Sequence, residues 1–209
     1  MISYPKTGLI RSFSFLILLA TANSSQAKTQ MTINSPVCKT GKDTSYIVIT
    51  INKIAISHRV VTVKQDFEVF TGNLEKLLGR ITKEDFDLVK SDPLNAEKHL
   101  SSLGGYQDLI LFGIQDHGSL LNLKGKPRKA RQYSIGNPLT ALKMTNIDIR
   151  AALYAPLRIL VYETKSKTVH VEYDLPSSLF GQLKNPGVTE VAKQLDDKLI
   201  KLIYHADEK

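Results

Sequence analysis

The sequence places residues suited to ligand binding or acid–base chemistry in several separate stretches. His117 follows an apolar stretch, and an imidazole can exchange a proton near neutral pH or contact a ligand. Asp116 precedes it, but neighbouring strand residues point to opposite faces, so a catalytic partner must come from elsewhere. Arg158 and Tyr173 are the candidates for that partner. The alternative is that His117 only holds the turn after the strand through hydrogen bonds.

The tripeptide Gly136-Asn137-Pro138 predicts the beginning of a helix. Gly136 allows a ligand close to the backbone, and the free N–H groups of a first helical turn attract anions. Asn137 and Pro138 are also the residue types that cap and begin a helix without any ligand. The residues alone leave both interpretations open.

Arg158 lies in an otherwise apolar stretch that is typical of a strand. Alternation puts its side chain on one face with Leu160 and Tyr162. A guanidinium in that setting needs a carboxylate, supplied by a ligand or by a side chain such as Glu163 or Asp174. The predicted ligand-binding set consists of His117, Gly136, Asn137, Arg158 and Tyr173, with a small anion as the expected ligand.

Hydrophobic periodicity predicts the elements that position these residues. The stretch from Tyr46 to Val63, rich in Ile and Val, predicts two strands, with a hairpin as their candidate pairing. The sheet strands are expected to begin near residues 58, 108, 129, 156 and 168. Helices are expected after the capping residues Asp66, Thr82, Asp92, Asn137 and Asn185. Met144 and the aromatic residues at 112, 133, 162 and 173 are expected in the core. The pattern indicates one α+β domain, an antiparallel or mixed sheet of about four to six strands with helices packed on one side.

Residues 1–27 have the pattern of a secretory signal peptide. Lys6 and Arg11 precede an apolar run of about ten residues, too short to span a bilayer, and Ser25-Gln26-Ala27 forms a cleavage site. We therefore expect a periplasmic or secreted protein with no transmembrane segment in the mature chain. Residues 28–45 are polar and predict a flexible arm before a single domain over 46–209. Cys38, the single cysteine, is a free thiol or forms an intermolecular disulfide.

The composition excludes several function classes. Lys and Arg number 28 against 20 Asp and Glu, a formal net charge of +8. The basic run from Lys124 to Arg131 lacks interleaved aromatic residues, so a solvated surface is expected and nucleic acid is not an expected partner. The five histidines have no metal-ligand spacing, and no nucleotide or dinucleotide motif occurs. We expect neither a metal nor a cofactor.

Four blocks of sequence follow one another in a recognisable order. They are "FGIQDHG" (112–118), "YSIGNPLTALKM" (133–144), "APLRILVYE" (155–163) and "VEYDLPSSLFGQ" (171–182). In these blocks the chain resembles the bacterial domain of unknown function 302 family. The resemblance implies a compact α+β core over about 58–182, often paired as a dimer, with no established activity. The helix expected over 187–204 indicates a branch larger than the minimal domain.

Together these features predict an exported protein that is not an enzyme and that binds a small ligand or serves as an accessory protein. One alternative is a cofactor-free enzyme with His117 as general base. A further alternative is an envelope interaction protein that forms a homodimer through its sheet.

Overall fold

The computed structural model describes residues 31–35 and 47–209, which belong to two compact units divided after Lys53. The predicted signal peptide and Cys38 lie outside the described residues. In the first unit, strand β1 (Met31–Ser35) pairs antiparallel with β2 (Ile47–Ile51). Residues 31–35 are therefore a strand within the segment predicted to be a flexible arm.

The second unit, from Ile54 to Lys209, contains a six-stranded sheet. Its strands are β3 (His58–Val63), β4 (Gly79–Arg80), β5 (Ile110–Asp116), β6 (Ala130–Gly136), β7 (Leu157–Glu163) and β8 (Val169–Asp174). The order across the sheet is β3-β8-β7-β6-β5-β4, and every neighbouring pair is antiparallel except β4 with β5. The hairpin predicted between residues 46 and 63 is wrong, because β2 pairs with β1 whereas β3 pairs with β8.

Helices fill most of the connections between these strands. They are α1 (Phe67–Leu77), α2 (Lys83–Ser91), α3 (Pro93–Ser102), α4 (His117–Leu120), α5 (Pro138–Ile147), α6 (Pro176–Gly181) and α7 (Pro186–Glu208). Several begin where the capping residues predict. The Asp92 carboxylate accepts the Asn95 N–H, and the Asn185 side chain accepts the Gly187 N–H at 3.0 Å. Among the described helices, α7 is the longest, and neither it nor any other has the length and apolar content of a membrane span.

The core lies between one face of the six-stranded sheet and the helices. On β7, Leu157, Ile159 and Val161 are buried, while the residues between them are more exposed. From α7, a stripe that includes Leu199 and Leu202 packs into the same core. This arrangement confirms the predicted α+β architecture with helices on one side. We call the opposite side of the sheet the open face.

The strands define two ends of the sheet. At the end where β6 finishes and β5 begins, Gly136 pairs with Ile110. At the other, where β6 begins and β5 finishes, Arg131 pairs with Asp116, and the Glu163 N–H donates to the Lys129 carbonyl oxygen at 2.9 Å. We call these the Gly136 end and the Lys129 end. Five residue steps of a strand separate Arg131 from Gly136, which corresponds to about 17 Å.

Candidate functional site

A pocket with a volume of about 350 Å³ lies at the Gly136 end, beside the first turns of α5. Its lining is mainly apolar and comes from α2, β5, the end of β6, α5, α6, α7 and the beginning of β7. The buried part of the lining includes Met144, Leu157, Phe180 and Leu195, and more exposed residues at the mouth are Phe86 and Leu142. At this end, the helices therefore do not pack fully against the sheet and leave a hollow between them.

A β-bulge brings Phe112 into this pocket. The register of β5 against β6 shifts between Leu111 and Gly113, so Phe112 is the extra residue of the bulge. Its ring centroid lies 6.3 Å from that of Phe86, with the two planes tilted by 40°. Gly136 lies beside the Phe112 ring, which a Cβ atom at residue 136 would approach to 3.5 Å. The glycine therefore leaves space in the pocket that any side chain would occupy.

Asn137 caps helix α5, and its oxygen atoms accept hydrogen bonds from every N–H group of the first helical turn. The Asn137 Oδ1 atom accepts hydrogen bonds from the N–H groups of Leu139 at 2.9 Å and Thr140 at 3.0 Å. The Ala141 N–H donates to the Asn137 carbonyl oxygen, and Pro138 has no N–H. The first turn therefore offers no unpaired N–H to an anion. Of the two interpretations that the sequence leaves open, this geometry agrees with capping.

The pocket lining contains no titratable side chain. Its polar groups are the amide of Asn137 and the hydroxyls of Thr140 and Thr145. The Thr145 hydroxyl donates to the Ala141 carbonyl oxygen at 3.0 Å, within the helix. The lining can therefore bind apolar surface and a few hydrogen-bonding groups, but it lacks a general acid or base.

His117 lies at the Lys129 end, as the first residue of α4, and its side chain is exposed. Asp116 does not pair with it. The Asp116 carboxylate instead accepts hydrogen bonds from the Ser119 hydroxyl at 2.6 Å and the Ser119 N–H at 2.8 Å, and these lower the pKa of Asp116. Because about 17 Å of strand separates the two ends, His117 is not beside Gly136 and Asn137.

Arg158 and Tyr173 lie on opposite faces of the sheet. Arg158 is exposed on the open face, opposite Ser134 in the register of β6 and β7. Tyr173 is 2% exposed on the helix face, and its hydroxyl accepts a hydrogen bond from Arg59 at 3.2 Å. One small ligand cannot contact both. Of the five residues predicted to share a site, the structure brings together only Gly136 and Asn137.

The two carboxylates that were candidates for pairing with Arg158 contact other side chains. Glu163 bonds to Lys167 at 2.9 Å, and the Asp174 carboxylate lies 2.8 Å from a ring nitrogen of His58. The other ring nitrogen of His58 lies 3.2 Å from Glu172. Hydrogen bonds to Asp174 and then to Glu172 raise the pKa of His58. No group of His, Cys, Asp or Glu suited to a metal ion occurs in the part of the chain that the structure describes.

The residues that form most of the pocket were expected to be core or were not singled out. Phe112 was among the aromatic residues predicted for the core, and Phe86 and Phe180 carried no functional prediction. The one available signal is that Phe112, Gly136 and Pro156 fall within the blocks quoted above. Of the five residues expected in the core, Met144, Tyr133 and Tyr173 are each no more than 2% exposed, whereas Phe112 and Tyr162 are only partly buried.

Three comparisons relate the chain to known proteins. The family model described as "Domain of unknown function DUF302" matches residues 89–206. No curated protein matches the chain. A solved structure, "Crystal structure of uncharacterized conserved protein DUF302 from Bacillus stearothermophilus", is 16% identical, with a TM-score of 0.53. The match covers 73% of this chain and 99% of that one. At this identity the likeness to the solved structure shows the fold alone.

Proposed function

The chain belongs to the DUF302 family, and from its pocket we propose that it is an exported, non-enzymatic protein that binds a small, mainly apolar ligand. The single observation that supports this proposal is the apolar hollow of about 350 Å³ at the Gly136 end. Small-molecule sites are typically apolar cavities of roughly 300–1,000 Å³ with a few polar groups that orient the ligand. Export is proposed from the signal-peptide pattern of residues 1–27.

The lining favours a neutral or apolar ligand over an anion. The lining consists mainly of phenyl rings, leucine side chains and Met144, and burying an apolar ligand against them is favourable in free energy. No cationic side chain lines the hollow. The N–H groups that would attract an anion are already bonded to Asn137. A ligand with an apolar body and one hydroxyl, amide or carbonyl group near Thr140 fits this lining. The proposal therefore replaces the anion expected from the sequence.

The enzyme alternative has less support. A general base must lie within hydrogen-bonding distance of the proton it removes, and the pocket has no titratable group. His117 lies at the Lys129 end and lines no part of the pocket.

Dimerisation through the open face also has less support from the side chains there. The open face carries charged and polar groups bonded to one another, including His58 with Asp174 and Tyr162 with Glu172 at 2.6 Å. Large homodimer interfaces are usually depleted in charged groups at their centre. Ligand binding in the pocket remains the function that we propose.

A neutral fluorescent probe, N-phenyl-1-naphthylamine, tests the proposal. We expect saturable fluorescence enhancement on titration into the protein, together with a rise in its melting temperature. Ala141→Phe places a ring in the pocket lining, and the probe's affinity should fall by about tenfold or more because the hollow is filled. Inorganic sulfate should neither bind nor compete with the probe.

The matched control is Asn146→Phe, which adds the same ring to an exposed part of α5 that does not line the pocket. It should bind the probe as the unchanged protein does. Probe binding that is not saturable, or that Ala141→Phe leaves unchanged, would contradict a ligand site in this pocket. Sulfate competing with the probe would restore the anion interpretation.

A further inference from the structure

The connection between β5 and β6, residues 117–129, carries three leucine side chains, two of them mostly exposed and one partly exposed. Leu123 is 83% exposed, Leu120 61% and Leu121 38%. They lie at the Lys129 end, far from the pocket. We call residues 117–129 the leucine turn. Leucines this exposed on one short connection form an apolar projection that the described part of the chain does not cover.

The same turn is strongly basic. Lys124, Lys126 and Arg128 are exposed and form no ion pair within the part of the chain that the structure describes. Neither residues 117–129 nor the neighbouring β7–β8 connection, residues 164–168, contain an acidic residue. That connection adds Lys165 at the same end of the sheet, together with Lys167, which is paired with Glu163 at 2.9 Å. The leucines therefore project from a cationic surface.

The leucine turn is held in this conformation by its own backbone. A Cβ atom at Gly118 would lie 2.1 Å from the Arg128 carbonyl oxygen, so only glycine allows the two ends of the turn to pack together. At its tip Gly125 has a φ of +62°, and the Lys126 N–H donates to the Leu121 carbonyl oxygen at 3.2 Å. The leucines are thus displayed by a defined turn.

An apolar projection within a cationic surface matches one kind of partner. Leucine side chains bury apolar surface when they enter the boundary between lipid headgroups and acyl chains, which favours binding. Lysine and arginine are attracted to anionic headgroups. We propose that the leucine turn docks the protein on an anionic phospholipid surface. Nucleic acid is the less suitable polyanion, because residues 117–131 contain no Phe, Tyr or Trp for base stacking and nucleic acid gives the leucines no apolar contact.

Sedimentation with lipid vesicles tests this proposal. The protein is the chain from Lys28 onward, the predicted mature form, so that the apolar residues of the signal sequence do not bind lipid themselves. We expect it to bind vesicles of equal parts phosphatidylglycerol and phosphatidylcholine, and not vesicles of phosphatidylcholine alone. Added salt should weaken the binding, because it screens the headgroup charge.

Two variants separate the two components of the docking surface. The triple variant Lys124→Gln/Lys126→Gln/Arg128→Gln should lose on the order of 100-fold in vesicle affinity, since each cation contributes a factor of about five. The double variant Leu120→Ser/Leu123→Ser keeps every charge and should still lose about tenfold or more, because the apolar insertion is removed.

Matched controls remove the same residue types elsewhere. Lys98→Gln/Lys143→Gln/Lys201→Gln removes three exposed cations from helices. Leu94→Ser/Leu153→Ser removes two leucines that are 90% and 77% exposed. Neither control should change vesicle affinity by more than about twofold, because these residues lie outside the leucine turn.

The results distinguish lipid from other partners. The proposal is overturned if the unchanged protein does not bind the phosphatidylglycerol vesicles, or if the control variants lose as much affinity as the leucine-turn variants. It is also overturned if the leucine variant binds as tightly as the unchanged protein, because the surface would then recognise charge alone, as for nucleic acid. Ligand binding in the pocket is measured separately and does not depend on this outcome.

Discussion

The side-chain amide of Asn137 donates a hydrogen bond of 2.9 Å to the carbonyl oxygen of Asp108. The same side chain accepts the first N–H groups of α5 through its oxygen. One residue therefore joins the beginning of α5 to the segment that leads into β5. Both elements supply pocket residues, so this contact fixes the wall of the pocket as well as the end of the helix.

Replacing Asn137 tests this double role. Asn137→Ala removes the cap and the bond to Asp108, and we expect a loss of about 1–2 kcal/mol in the free energy of unfolding. Asn137→Asp keeps the capping oxygen and should lose less. Urea unfolding measures both. Asn185→Ala, which uncaps α7, is the control: it should lower stability similarly, whereas only Asn137→Ala should weaken binding of the naphthylamine probe.

His117→Ala should leave both the fold and probe binding unchanged. The imidazole is exposed at the Lys129 end and lines no part of the pocket. Far-UV circular dichroism, the melting temperature and the probe titration check this expectation. Loss of probe binding with an intact fold would instead support a ligand site around His117, as the sequence predicts.

Tyr133 forms a buried polar contact between the sheet and α1. Its side chain is fully buried, and its hydroxyl donates to the Glu75 carboxylate at 3.0 Å. Burial, together with the neighbouring Glu75 charge, raises the pKa of Tyr133. We expect Tyr133→Phe to lower the free energy of unfolding by about 1–2 kcal/mol, because the carboxylate loses a hydrogen bond.

A double-mutant cycle assigns that loss to the contact. Tyr133→Phe, Glu75→Gln and the double variant should not be additive, since each single change already weakens the same hydrogen bond. Additive losses in urea unfolding would show that the two residues act independently.

The contact of His58 with Asp174 and Glu172 predicts a pH-dependent contribution to stability. Because the folded protein raises the pKa of His58 above 6.5, the contribution is fully present below that pH. It is lost as the pH rises through the higher pKa of the folded state. The difference in urea midpoint between the unchanged protein and His58→Gln should therefore shrink from about pH 5.5 to about pH 8.5.

His117→Gln is the control for this measurement, since it changes a histidine that has no ion pair with a carboxylate in the described part of the chain. Its midpoint should follow that of the unchanged protein over the same pH range. A difference for His58→Gln that stays constant or grows with pH would contradict the ion pair.

Local signals predict much of this fold. Asn137-Pro138 and Asn185-Pro186 begin helices at the predicted positions because a cap needs only its next few residues. The five longer strands of the sheet were also expected, since their apolar runs reflect burial of at least one face. By contrast, β4 has two residues, too few to produce a periodic pattern.

The candidate site could not be predicted in the same way. Whether Arg158 and Tyr173 share a face depends on the register between β7 and β8, and a shift of one residue moves a side chain to the other face. The bulge at Phe112 similarly depends on pairing with β6. The hollow beside it arises from helices distant in sequence, and no local pattern encodes the space that they leave.

The two ends of the sheet separate the proposed ligand site from the proposed lipid contact. The hollow and the leucine turn lie at opposite ends of the same antiparallel strands, about 17 Å apart along β6. If the leucine turn contacts lipid, the mouth of the pocket at the other end of the sheet faces the aqueous side. Its cargo would then arrive through water or from a soluble donor, rather than by lateral transfer out of the bilayer.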